Sequence, residues 1–212
     1  AAARHGLKPG VSLDLTCMDD DGTPWDFRIP AKQAKARALL KTQKPVLVVL
    51  SPLCGAFSSW MSVNYQHMST AEAKEMLDQA MQHLAFAISL CQDQLQAGRY
   101  FVFEQPAGAA SWTTKLVEHL ARHPEVDKVI FDFCALGMRS THLDGTAGPA
   151  LKRTGILTNS KHVAAMLSKA KCRHLHKHAQ LVSGRAKACE VYPQEFCDAI
   201  RPVSYTHLRA HE

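Results

Sequence analysis

The sequence predicts an α/β fold with a mostly parallel sheet covered by helices on both faces. Between residues 31 and 133 short apolar runs alternate with stretches of helical period, the order of β-α-β units. The runs are continuously apolar instead of alternating, as in strands buried on both sides. With 212 residues, 46% hydrophobic and 21% charged, the chain is long enough for one sizeable core, and its composition excludes a disordered or collagen-like polymer.

Residues 11–15 (VSLDL) read as a short strand, followed by a turn at residues 19–24 where acids precede Gly22 and Pro24. Residues 31–42 place Ala and Leu at helical spacing, and Lys44-Pro45 ends that helix. Residues 46–50 (VLVVL) are the first buried strand. Ser69 with Glu72 forms a capping-box pattern ahead of a stripe of Met76, Leu77, Ala80, Met81, Leu84, Ile88, Cys91 and Leu95 that stops at Gly98, so a long amphipathic helix is expected.

Residues 100–103 (YFVF) form the next strand, closed by Glu104-Gln105-Pro106, then a short helix at 113–122 and a strand at 126–133. Beyond Gly137 the pattern loosens into a loop through Gly145 and Gly148-Pro149. A strand at 155–158, a helix at 160–169 and a helix opening near Pro193 follow. Residues 171–187 are basic and His-rich without period, as in a surface loop. The organisation expected is a catalytic α/β core over 1–150, a basic His-rich segment with the terminal helix over 151–202, and a non-native tail over 203–212. That tail (VSYTHLRAHE) resembles the translation of a transposase adapter used in sequencing libraries and is set aside.

No apolar run is long enough to span a membrane and the start lacks a secretory signal, so a soluble intracellular monomer is expected, nuclear or cytosolic. Seven cysteines, odd in number and irregular in spacing, fit reduced thiols. Nine positive charges and no acid fall between Leu151 and Cys189; set against the net +6, the rest of the chain carries −3. Such a basic segment is a footprint for nucleic acid, and equally the pattern of a solvated face.

Ligands of parallel α/β sheets bind beyond the carboxyl ends of the strands. Cys54 follows residues 46–50 in a Pro and Gly turn where backbone N–H groups would favour a thiolate, and Glu104 follows the next strand, placed to donate a hydrogen bond or proton. The string PVLVVLSPLCGAFS, residues 45–58, resembles the catalytic loop of the cytosine-5 DNA methyltransferases, with Pro52, Cys54, Phe57 and Ser58 matching in order and spacing. Residues 100–106 resemble that family's strand followed by Glu-Asn-Val, with Glu104 at the Glu position.

The resemblance implies a Rossmann-like, S-adenosylmethionine-dependent methyltransferase fold acting on double-stranded DNA. Cys54 would attack carbon 6 of a flipped cytosine, Glu104 would contact nitrogen 3, and Ser58 would support the loop. On the cofactor side it implies Asp14, Asp26 and Pro52, with Asp20 competing for the role of Asp14. The sequence departs from the family pattern at Leu53, where Pro is usual, and at Gln105-Pro106. The family's arginine pair finds only Arg139 or Lys152-Arg153 as substitutes. Its Gly-rich cofactor loop would precede residue 1, so weak S-adenosylmethionine binding is expected.

In the basic segment Lys152, Arg153, Lys171, Arg173, Lys177, Arg185 and Lys187, together with Arg139, are expected to contact phosphates. Cys172, His174, His176 and His178, with Cys189 farther on, offer an alternative zinc set. Their spacing is not that of the common zinc fingers, so phosphate contact is the reading preferred and no metal is assigned. Two other functions stay open: a catalytically inactive nucleic-acid-binding relative, for instance one borne by a retroelement, and a cysteine hydrolase pairing Cys54 with His67.

Overall fold

The structure, a computed structural model, describes residues 10–58, 67–182 and 184–200; the tail at 203–212 lies outside them. Among the described residues six strands run in chain order: β1 (Leu47–Leu50), β2 (Tyr100–Pro106), β3 (Asp127–Asp132), β4 (Arg139–Thr141), β5 (Ala147–Pro149) and β6 (Arg153–Thr158). The helices are α1 (Pro30–Gln43), α2 (Thr70–Gln96), α3 (Lys115–Ala121), α4 (Lys161–Ser168) and α5 (Gln194–Ile200). Among the described residues no helix is long and apolar enough to cross a membrane.

The fold is mixed α/β, but its sheet is not mostly parallel. The order is β1-β2-β6-β3, with β1 and β2 parallel and β6 antiparallel to both of its neighbours. The reversal comes from the return path after β3. No crossover helix follows it; the chain instead forms the β4–β5 hairpin and feeds β6 back between β2 and β3. β1, β2 and β3 nevertheless point the same way, so the turns after them share one edge of the sheet. A boundary near residue 150 falls inside this sheet, because β6 is an inner strand.

Side chains alternate across β2, and this splits the core in two. Phe101 and Phe103 face α2 and α3, packing with Leu84, Ile88, Val117 and Leu157. Val102 faces the other layer, with Phe131, Phe133 and Ile156 under α4 and α5. A third cluster of Trp25, Ala36, Leu40, Phe86 and Leu90 seats α1 against the outer side of α2. The capping box at α2 forms as expected, with the Ser69 hydroxyl accepting from the Glu72 N–H and the Glu72 carboxylate accepting from the Ser69 N–H.

Two expected strands differ. Residues 11–15 form no strand: Oδ1 of Asp14 accepts from the N–H and hydroxyl of Thr16, at 2.7 and 2.6 Å, and bends the chain into a turn. β1 is at the edge of the sheet, with Val49 38% exposed, so its apolar run is not buried on both faces. Residues 171–182 have no helix or strand, as expected of a loop.

Candidate active site

β1 delivers the chain to Ser51-Pro52-Leu53-Cys54, and a single 3-10 turn, Gly55–Phe57, follows. Phe57, 4% exposed, buries its ring in the α2 layer and anchors that turn. Cys54 sits at the head of the turn, half-buried, and its carbonyl accepts from the Phe57 N–H at 3.0 Å. The buried Gln105 ties the loop to β2: its amide donates to the Pro52 carbonyl at 2.7 Å while its oxygen accepts from the Ser111 hydroxyl at 3.2 Å. The residue standing where the family pattern has Asn thus acts as a clamp on the cysteine loop.

Glu104 lies inside β2, not beyond it, paired opposite Ile156 and 7% exposed. Its side chain shares a face with Val102, toward α5. There the Tyr192 hydroxyl donates to Glu104 Oε2 at 3.2 Å and accepts from the Ser51 hydroxyl. Burial, then the charge of Glu104, holds the Tyr192 phenol well above its ordinary value, so it remains a donor. Burial first, then the Glu104 carboxylate, also raises the Cys54 thiol, and the Lys152 ammonium opposes them. Cys54 therefore rests as a thiol.

Lys152 is held by the Cys189 carbonyl at 2.9 Å and lies over the Phe133 ring, 4.8 Å from its centroid. The side chains acting most strongly on Cys54 are Glu104, Lys152 and Glu190 rather than His67, which is exposed. Comparison with family models, with curated proteins and with solved structures returns no match for this chain.

The structure thus brings together Cys54, Glu104 and Lys152, and adds Ser51, Gln105 and Tyr192. Tyr192 escapes a reading of the sequence because it arrives from 88 residues beyond Glu104; Val191-Tyr192-Pro193 reads only as the approach to a helix. Ser58 ends the 3-10 turn, its N–H donating to the Gly55 carbonyl at 3.1 Å.

The cofactor-side residues are placed differently. Asp14 turns its carboxylate onto Thr16, and the Asp26 carboxylate is gripped by the Arg28 guanidinium at 2.6 Å. Hydrogen bonds from Thr16 and from Arg28 respectively hold these two carboxyls below their ordinary values. Asp20 is exposed and pairs with Lys35 at 3.0 Å, and the Pro52 carbonyl is taken by Gln105. Each of these groups thus has a partner within the chain.

Of the basic residues, Arg139, Arg153, Lys171, Arg173, Lys177 and Lys187 are exposed, whereas Lys152 and Arg185 are half-buried. Lys152 faces inward to Cys189, and Arg185 donates to the Gln180 carbonyl at 3.2 Å. The two are better placed to hold the fold than to meet a phosphate. Residues 172–178 also gather Cys172, His176 and His178 against Cys134, from the turn after β3. Burial and the neighbouring His176 and His174 keep the His178 ring below its usual value, hence neutral. His174 and Cys189 stand outside this group.

Proposed function

We propose that this chain is a cytosine-5 methyltransferase-type domain with a Rossmann-like ancestry, in which Cys54 adds covalently to a cytosine held by Glu104. The observation that supports it is the placement of a thiol in the turn beyond β1 and a buried carboxylate within β2, its parallel neighbour, close enough for the charge of one to shift the other. Motif order and strand context agree with the resemblance drawn above.

The chemistry follows from the groups present. In the free site the Glu104 carboxylate opposes ionisation of Cys54. When a proton taken up from solvent bridges Glu104 and cytosine nitrogen 3, that opposition falls and the thiol can release its own proton to solvent. The sulfur then bonds to carbon 6, and the ring's 5,6 double-bond electrons move toward carbon 5 and the protonated nitrogen 3. Carbon 5 is left nucleophilic. Tyr192, donating to Oε2, fixes which carboxylate oxygen faces the base.

The methyl donor implied by the resemblance is S-adenosylmethionine, which would supply an electrophilic methyl group to carbon 5. With Asp14 and Asp26 turned onto partners in the chain, the chemistry supported by the described residues ends at addition to carbon 6 and proton exchange at carbon 5. DNA is the substrate class proposed, with Arg173 and Lys177 on the loop at the same edge contacting phosphates.

Addition followed by protonation and reversal exchanges the carbon 5 hydrogen with solvent and needs no methyl donor. Oligonucleotides with and without a complementary strand, incubated with the chain in deuterated buffer, should gain deuterium at cytosine carbon 5. Cys54→Ser should abolish the gain and leave salt-sensitive DNA binding intact. No gain above buffer with the unaltered chain, or an equal gain with Cys54→Ser, refutes the assignment. DNA binding without exchange would instead mark a non-catalytic nucleic-acid-binding relative.

A further inference from the structure

We propose that Cys134, Cys172, His176 and His178 form a tetrahedral zinc site that staples the basic loop to the carboxyl edge of the sheet. This inference does not depend on the methyltransferase reading. The four ligand atoms lie within 4.8 Å of one another. Cys134 Sγ is 3.4 Å from His178 Nε2, Cys172 Sγ is 3.5 and 3.4 Å from Nε2 of His176 and His178, and the two imidazole nitrogens are 3.0 Å apart.

A tetrahedron with Zn–S bonds of about 2.3 Å and Zn–N bonds of about 2.0–2.1 Å has edges of roughly 3.6 Å between sulfur and nitrogen and roughly 3.3 Å between nitrogens. The three sulfur–nitrogen separations are within about 0.2 Å of that edge, and the nitrogen pair is about 0.3 Å shorter than its own. Ordinary hydrogen bonding gives no such convergence, because one thiol proton and one N–H per ring cannot serve every close pair in the group. Two thiolates and two neutral imidazoles form an uncharged complex with a dication, and this soft donor set favours zinc over magnesium or calcium.

The surroundings agree with a structural metal. Between residues 171 and 182 the only buried residue is Ala179, while Leu175 is 85% exposed and His174 adopts a left-handed backbone at φ 54°. A loop with so little apolar anchorage needs another constraint between its ends. Those ends are fixed by the Cys172 N–H on Asp132 Oδ2 at 3.0 Å and by the Ala179 N–H on the Pro149 carbonyl at 2.8 Å. Between them the left-handed turn brings the His174 N–H to Cys172 Sγ at 3.2 Å, a hydrogen bond that stabilises a ligating thiolate. Bound zinc would hold Arg173 and Lys177, each next to or between ligands in sequence, at the edge where the turns after β1, β2 and β3 meet.

The test uses the full chain, purified without a histidine tag or chelator. Elemental mass spectrometry should find about one zinc per chain. Exchange into cobalt should give the strong visible bands of a tetrahedral centre together with a thiolate charge-transfer band in the near ultraviolet. Cys134→Ser and Cys172→Ser should each lose the charge-transfer intensity, and His174→Ala should keep it. Should a cysteine variant fail to fold, the unaltered chain decides: two of its seven cysteines should resist alkylation until a chelator removes the metal, and peptide mapping should place both labels on Cys134 and Cys172. A folded chain that binds neither zinc nor cobalt overturns the proposal. So does a charge-transfer band that survives Cys134→Ser, or protection of a different pair.

Discussion

Replacing Gln105 with Met isolates the clamp on the cysteine loop, because the two side chains are similar in volume and the exchange leaves little cavity. Gln105 is 1% exposed, and Ser111 is 0% exposed, so the substitution strands a buried hydroxyl that has donated at 3.2 Å. That loss costs about 1–3 kcal/mol. The Pro52 carbonyl loses its 2.7 Å bond but lies in a half-buried loop that water reaches, which adds about 0.5–1.5 kcal/mol. The expected destabilisation is about 1.5–4.5 kcal/mol. At a urea dependence of about 2 kcal/mol per molar, the unfolding midpoint should fall by roughly 1–2 M. Cys54, freed from its tie to β2, should react faster with iodoacetamide at constant pH. An unchanged midpoint with unchanged alkylation would refute the clamp. A lower midpoint with unchanged alkylation would show that Phe57 alone positions the loop.

Three further outcomes test other parts of the structure. Glu104→Gln removes the carboxylate that, after burial, most raises the Cys54 thiol; its alkylation midpoint should move to lower pH while deuterium exchange into cytosine is lost. A midpoint that stays or rises would separate the two groups. Gly155→Ala places a methyl 2.7 Å from Cζ2 of Trp112, whose indole N–H is fixed to the Pro106 carbonyl at 2.7 Å, so calorimetry should show a loss of about 1–3 kcal/mol. A loss too small to measure would mean that the ring swings aside. Burial holds the Cys91 thiol well above its ordinary value of 9.0, so the unfolded chain releases this proton first. The contribution of this thiol to stability is present below pH 9 and is lost above it by up to about 1.4 kcal/mol per pH unit, so Cys91→Ala should flatten the alkaline slope in urea titrations at stepped pH.

Much of the architecture is legible in the chain because its signals are local. The Ser69–Glu72 box, the Met and Leu stripe behind it and the stop at Gly98 specify α2 within a residue or two. The apolar runs at 46–50 and 100–103 mark β1 and β2. Residues 11–15 mislead because their alternation competes with the side chain of Asp14, whose short reach closes a turn over Thr16. The sheet is misjudged for another reason: strand direction depends on the return path after β3, and hairpin β4–β5 has no strong alternation to announce it.

Cys54 and Glu104 stand out in the sequence because each follows or ends an apolar strand, a position with chemical meaning in any α/β sheet. Their partners do not, since Tyr192 and Lys152 come from segments whose proximity is created by folding. The metal ligands divide the same way. Cys172, His176 and His178 are visible as a local string, but Cys134 lies 44 residues before His178, and His174, whose backbone is left-handed, is not among the gathered ligands.

Local periodicity, caps and motif order are written along the chain and were readable there, because each depends on neighbours within a few residues. The direction of β6, the clamp of Gln105 on Pro52, the Ser51–Tyr192–Glu104 relay and the convergence of Cys134 on the histidine loop were decided by tertiary structure. Each joins residues whose separation along the chain is long and whose approach is set by packing on the two faces of one sheet.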